Sequence, residues 1–114
     1  MAFDPEEWRK YREKMNERIL SEDDLSLKRF MAVDHDVYQA GALDARTKEL
    51  MGLVASLVLR CDDCVHYHIE RSLEEGVTAA EMTEAITIAM VVGGSITIPH
   101  VRRAFAAVDA FSSE

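Results

Sequence analysis

The chain has 114 residues, of which 48% are hydrophobic and 30% charged, and it carries a formal net charge of −8. That length fits one domain, and that mixture is globular rather than disordered. So acidic a chain repels phosphate backbones and anionic bilayers, which excludes nucleic acid and membrane surfaces as expected partners.

Only two prolines and five glycines occur, and β-branched runs are few, so composition leans towards helix. The opening Met-Ala-Phe-Asp-Pro-Glu-Glu-Trp has no basic region followed by an apolar stretch, and no secretory signal is expected. The first helix is predicted from Pro5 to Leu20, with Pro5 suited to the first helical position and Glu6 and Glu7 in the first turn. Trp8, Tyr11, Met15, Ile19 and Leu20 form its apolar stripe. The second runs from about Asp24 to Gln39 and ends at Gly41, with Leu25, Leu27, Phe30, Met31, Val33 and Val37 as its apolar set.

Asp44 is a good N-cap for a third helix reaching about Leu59. Its second half, Leu50 to Leu59, is apolar on nearly all sides, a pattern of burial against several neighbours, other subunits included. The fourth helix starts near Cys61 and stops at Gly76. Thr78-Ala-Ala-Glu81 is a capping box for a fifth helix that runs to Val92, where Gly93-Gly94 breaks it. Ser95 or Thr97 caps the sixth, with Pro99 tolerated in its first turn, and the helix continues to Phe111. The expected fold is therefore all-α: one domain over 1–114, a small bundle of about six helices with short connections. The stretch Ile86 to Ile98 is interrupted by polar residues and glycines and falls short of a bilayer span. The cytoplasm is the expected compartment, where two cysteines are more plausibly redox-active or metal-binding than a structural disulfide.

Cys61, Cys64 and His68 are spaced by three and four residues, which places them within about 60° on one helix face. Two thiols one turn apart at a helix start can close into a disulfide, and a helix N-terminus favours the thiolate. His68 can accept or relay a proton, so Cys64 reads as the attacking thiol and Cys61 as its resolving partner. Two other readings stay open: two small buried cysteines packing as hydrophobes, or a zinc site completed by His100, although no second Cys or His pair follows at finger spacing. His66 lies off the cysteine face, His35 sits between Asp34 and Asp36 on a solvated face, and His100 reads best as a packed or interfacial imidazole.

The run Leu43-Asp44-Ala-Arg-Thr-Lys48-Glu49-Leu50, the apolar helix after it, and Cys61-x-x-Cys64-x-x-x-His68 together resemble the carboxymuconolactone decarboxylase family, in its AhpD-like alkylhydroperoxidase branch. Glu-Glu-Gly76-Val-Thr78-Ala-Ala-Glu81 and the helix up to Gly93-Gly94 extend the likeness. It covers about residues 40–110 and leaves the first forty as a variable helical extension. The resemblance implies an all-helical trimer or hexamer that reduces a peroxide substrate with its dithiol. A dithiol reductant, such as a lipoylated or thioredoxin-like protein, would recharge it. It also implies Glu49 and His68 as the proton relay, Cys64 as the peroxide-attacking thiol and Cys61 as its partner, with no bound cofactor and no metal. The broader family leaves lactone decarboxylation as an alternative activity, and a non-enzymatic, redox-sensing helical oligomer is a further one.

On one straight helix Glu49 would lie about 22 Å from Cys64. For the role that the resemblance implies, the helix must break near Arg60, and the chain must fold back or a neighbour must intervene; a hairpin would bring Glu49 nearest to the level of His68. Well-marked AhpD peroxidases carry a histidine immediately before the second cysteine; this chain has Asp63 there, preceded by Asp62. Neighbouring carboxylates raise a thiol's pKa, whereas the helix start lowers it.

Overall fold

The computed structural model describes residues 2–114. Its helices are α1 (Pro5–Leu20), α2 (Leu25–Val37), α3 (Ala45–Val58), α4 (Asp62–Glu74), α5 (Ala79–Gly93) and α6 (Ile98–Ser112), with a short 3₁₀ turn at Ser95–Thr97. Among the described residues there is no strand, and no helix is long and apolar enough to cross a membrane.

Local chemistry sets most of the helix starts. Asp4 caps α1 by accepting the backbone N–H groups of Glu6 and Glu7, Asp24 accepts that of Leu27, and Asp44 accepts that of Thr47 at 2.7 Å. Each bond satisfies an amide that the first turn leaves without a partner. Thr78 and Glu81 exchange the reciprocal pair of a capping box, at 3.1 and 2.9 Å. The start of α6 departs from expectation. Neither Ser95 nor Thr97 caps it through a side chain; both lie in the 3₁₀ turn, and the Thr97 hydroxyl donates back to the Gly94 carbonyl at 2.8 Å.

Helix α3 packs against α4 and α5, and α4 packs against α6. Between them lie Leu53, Leu57, Val65, Ile69, Met82 and Ile86, all essentially without solvent exposure. Burying each such side chain stabilises the fold by about 1.5–3 kcal/mol. Helix α1 lies over this block. Trp8 of the helix and Phe3 just before it reach the Phe111 ring, and Arg9 pairs with Glu70 and with Glu114. Neither α1 nor α2 buries a residue fully, and Phe30, Val33 and Val37 of α2 remain exposed. The antiparallel bundle is thus α3 to α6, with α1 and α2 as a thinner layer over part of it.

The turn from α3 to α4 decides the site. Arg60 adopts the left-handed conformation, with φ 61°. The N–H of Cys61 then returns to the Ser56 carbonyl at 3.0 Å, and that of Arg60 to the Leu57 carbonyl at 3.0 Å. This is a Schellman closure, and it reverses the chain within three residues. Gly76 closes α4 in the same way, with φ 83°.

Candidate active site

The reversal at Arg60 lays α4 alongside α3, so that Glu49 faces His68. Glu49 Oε2 lies 2.8 Å from His68 Nδ1, and both side chains are buried, at 1% and 6% exposure. A carboxylate accepts, so Nδ1–H donates to Glu49 and the lone pair of the ring is left on Nε2. Arg71 Nε stands 3.9 Å from the other Glu49 oxygen, an opposite charge beside the buried carboxylate. The imidazole fits only because residue 52 is glycine: a Cβ there would come within 2.5 Å of His68 Cε1. Sequence reasoning passed over Gly52, although a glycine inside an apolar helix costs about 1 kcal/mol against alanine and so signals a close approach.

Cys61 and Cys64 meet at the start of α4. Cys61 is the N-cap, and its Sγ accepts the backbone N–H of Cys64 at 3.4 Å. Its own N–H closes α3, so one residue ends one helix and begins the next. Both thiols are free, Cys61 half-buried and Cys64 exposed. Although the residue is exposed, partial desolvation of its sulfur pushes the Cys64 thiol up to about 11; the Cys61 sulfur and the Asp63 carboxylate push the same way, against its backbone hydrogen bond. Asp63 therefore acts in the direction that its charge implies.

A cavity of about 130 Å³ opens beside Cys64, lined by Arg12, Asp34, Asp63, Cys64, Tyr67 and His68. Arg12 and Asp34 come from α1 and α2, residues that the sequence reading set aside as an extension. Arg12 lies over the face of Tyr67, 4.2 Å from the ring centroid. Trp8 Nε1 donates to Asp63 Oδ1 at 2.9 Å. Tyr38, the C-cap of α2, places its hydroxyl 3.4 Å from His68 Nε2 and its ring 5.1 Å from the imidazole. Periodicity put Trp8 in an apolar stripe but marked none of these four residues for the site, because their contacts are long-range.

The other histidines have separate surroundings. His35 is exposed beside Asp36. His66 packs against Phe3 and Trp8, and burial pushes its pKa down, against the pull of Asp62 and Asp63. His100 Nδ1 lies 2.8 Å from Asp62 Oδ1, and Arg103 holds the second Asp62 oxygen at 2.7 Å. His100 is thus engaged by Asp62 rather than by the cysteines. Among the described residues no group of three or more His, Cys, Asp or Glu is placed to hold a metal.

Comparison with known proteins places this geometry among relatives. A crystal structure of a carboxymuconolactone decarboxylase family protein from Thermotoga maritima, with a suggested involvement in antioxidative response, superposes with a TM-score of 0.90 at 50% identity, covering 94% of this chain and 91% of that one. The apo structure of lpg0406, a carboxymuconolactone decarboxylase family protein from Legionella pneumophila, gives a TM-score of 0.64 at 25% identity, over 94% of this chain and 86% of that one. Uncharacterized protein 4 in the cox locus of Paracoccus denitrificans is 32% identical over 80 residues, 70% of this chain and 72% of that protein. The model of the carboxymuconolactone decarboxylase family matches residues 24–109, and the chain belongs to that family.

Proposed function

We propose that the chain is a thiol-dependent peroxidase of the AhpD-like kind. The observation that carries this reading is the buried Glu49–His68 pair at 2.8 Å, with His68 and Cys64 lining one cavity and Cys61 in contact with Cys64. Burial and the neighbouring sulfur and carboxylate hold the Cys64 thiol above its ordinary range, so a base is needed to form the thiolate at neutral pH. His68, oriented by Glu49, is that base.

The reaction balances in three steps. The Cys64 thiolate attacks the terminal oxygen of the peroxide; the O–O bond breaks, an S–O bond forms, and the alkoxide leaves as alcohol after taking a proton. Cys61 then displaces water from the sulfenic acid, giving the Cys61–Cys64 disulfide. A dithiol reductant, such as a lipoylated or thioredoxin-like protein, returns both thiols and leaves as its own disulfide. The cavity, about 130 Å³ with charged walls, has room for hydrogen peroxide or a short alkyl hydroperoxide. The same reading includes a homo-oligomer, trimer or hexamer. Its support is the apolar groove between α3 and α5, where Met51, Leu59, Ile88 and Val92 are exposed.

The test is mass measurement and thiol titration before and after one equivalent of hydrogen peroxide. The expected result is loss of two hydrogens and of both titratable thiols. Cys64→Ser should abolish turnover with a dithiol reductant, and His68→Ala should lower it by about a hundredfold or more. Unchanged turnover in Cys64→Ser would sink the proposal.

A further inference from the structure

We propose that the Tyr38 hydroxyl is the proton relay between His68 and the reacting sulfur and oxygen atoms, an inference that rests on the peroxidase reading. His68 has two ring nitrogens, and the structure occupies both. Nδ1 is held by Glu49 at 2.8 Å, and Nε2 by the Tyr38 hydroxyl at 3.4 Å. With Nδ1–H committed to a carboxylate, Nε2 is the only basic site on the ring, and Tyr38 stands on it. A proton reaches the imidazole by way of the phenol oxygen.

The neighbouring groups leave this task to Tyr38. Asp63 is tied to the Trp8 indole at 2.9 Å. The Tyr67 ring lies beside His68 but carries Arg12 on its face. Tyr38 itself is half-buried, with its ring against the imidazole and the Lys48 ammonium donating to the Val37 and Gln39 carbonyls on either side of it, at 2.9 and 2.7 Å. Burial, and then the Glu49 charge, raise its phenol above the ordinary range, with Cys64 among the lesser charges that do so. Tyr38 therefore keeps its proton at working pH and donates it to Nε2. A hydroxyl both donates and accepts, so it serves both protonation states of the ring.

The proton balance closes. As the Cys64 S–H proton passes to the Tyr38 oxygen, the Tyr38 proton passes to Nε2, leaving a thiolate and an imidazolium paired with Glu49. After attack on RO–OH the alkoxide takes the Tyr38 proton, and Nε2–H refills Tyr38. The net change is Cys64–SH plus ROOH to Cys64–SOH plus ROH: the sulfur is oxidised, the peroxide reduced, and the relay returns to its starting state.

The experiment compares the full-length protein with Tyr38→Phe, His68→Ala and the double variant. Two probes are used: hydrogen peroxide, read as disulfide formation, and iodoacetamide, read by mass at Cys64. Tyr38→Phe keeps the ring against His68. At pH 7 it should slow both reactions by about ten- to a hundredfold. The deficit should narrow steadily towards pH 10, as Cys64 approaches the region near 11 where it ionises unaided. The double variant should be no slower than His68→Ala alone, because both act on one path. Wild-type rates in Tyr38→Phe at pH 7 overturn the relay, as does a deficit that does not change with pH, or losses that add in the double variant. If Tyr38→Phe alters the helical circular dichroism, fluorotyrosine placed at position 38 replaces it, and a pH profile that ignores the more acidic phenol overturns the relay. Iodoacetamide needs thiolate but no peroxide. A wild-type protein inert to peroxide whose alkylation still depends on Tyr38 would thus remove the peroxidase reading and leave the relay standing.

Discussion

Helices α3 to α6 enclose Leu53, Leu57, Ile69 and Ile86 at no more than 1% exposure, whereas α1 and α2 bury no residue fully and leave Phe30 at 72%. Apolar burial, worth about 1.5–3 kcal/mol for each such side chain, holds the first group. Edge contacts hold the second: Arg9 to Glu70 and Glu114, Trp8 to Asp63, Lys48 to the carbonyls beside Tyr38. The candidate site lies where the two meet. Glu49, His68 and the cysteines belong to the packed floor, while Arg12, Asp34 and Tyr38 belong to the thin roof. Elements with few buried apolar contacts open at lower free energy than the core. The division therefore puts the acid–imidazole pair on the rigid part and its covering groups on the part that yields first.

The largest effect should come from disturbing the floor. Gly52→Ala places a Cβ 2.5 Å from His68 Cε1 and 2.8 Å from Nδ1, so the ring must leave its place against Glu49. Overpacking of this kind costs about 1–3 kcal/mol, which the better helix propensity of alanine offsets only in part. We expect a lower urea midpoint together with at least a tenfold (about 1.4 kcal/mol) slower peroxide-dependent disulfide formation. Tyr38→Phe, a roof change, should slow the chemistry with little movement of that midpoint. A Gly52→Ala protein with the wild-type midpoint and rate would show that the floor gives way as easily as the roof.

The same division governs what the sequence revealed. Asp44 as a cap, the Thr78–Glu81 box and the break at Arg60 are all local: each depends on residues within a turn or two, and the structure has each of these features. Of the expected Cys61–Cys64–His68 face, Cys64 and His68 line one cavity, while Cys61 sits just outside the helix as its N-cap. A role for Glu49 was legible only through the family resemblance; spacing added the condition that the helix break, since a straight one would have held it about 22 Å from Cys64. The roof was not legible. Trp8 meets Asp63 across 55 positions and Tyr38 meets His68 across 30, and no periodicity encodes such pairs. At the start of α6, Thr97 looked like a cap but spends its hydroxyl on the Gly94 carbonyl, because the chain first takes a 3₁₀ turn.

A milder probe addresses the roof alone. His66 on α4 packs against Phe3 and Trp8, and burial holds its pKa below the ordinary value, with Asp62 and Asp63 opposing in part. The fold thus prefers the neutral ring, and the unfolded chain binds the proton more readily. The stability that His66 contributes is complete above about pH 6.5 and is lost as pH falls through the lowered value. Trp8 is the only tryptophan, so its fluorescence reports this contact directly. We expect a fluorescence change with its midpoint below 6.5 that His66→Gln removes. Across it, amide exchange should rise in α1 and stay constant in α3 and α5. A simultaneous rise in α3 would mean that floor and roof open as one unit.

The smallest effect concerns the corner that joins the cysteines to the floor. Arg60 and Gly76 end successive helices with the same pair of backbone bonds, yet only Gly76 occupies the left-handed region without steric cost. A residue with a Cβ loses about 1–2 kcal/mol there, and glycine in its place gives back about 0.5–1 kcal/mol through the freer unfolded chain. Arg60→Gly should therefore raise stability by about 0.5–1 kcal/mol, read as a higher urea midpoint at unchanged slope. Gly76→Arg should lower stability by a similar amount. If the arginine relieves its strain through contacts of its own, Arg60→Gly will instead leave the midpoint where it was. In either case Cys61, whose N–H closes α3 and whose sulfur caps α4, keeps both bonds, and the rate of disulfide formation should stay within a factor of about two.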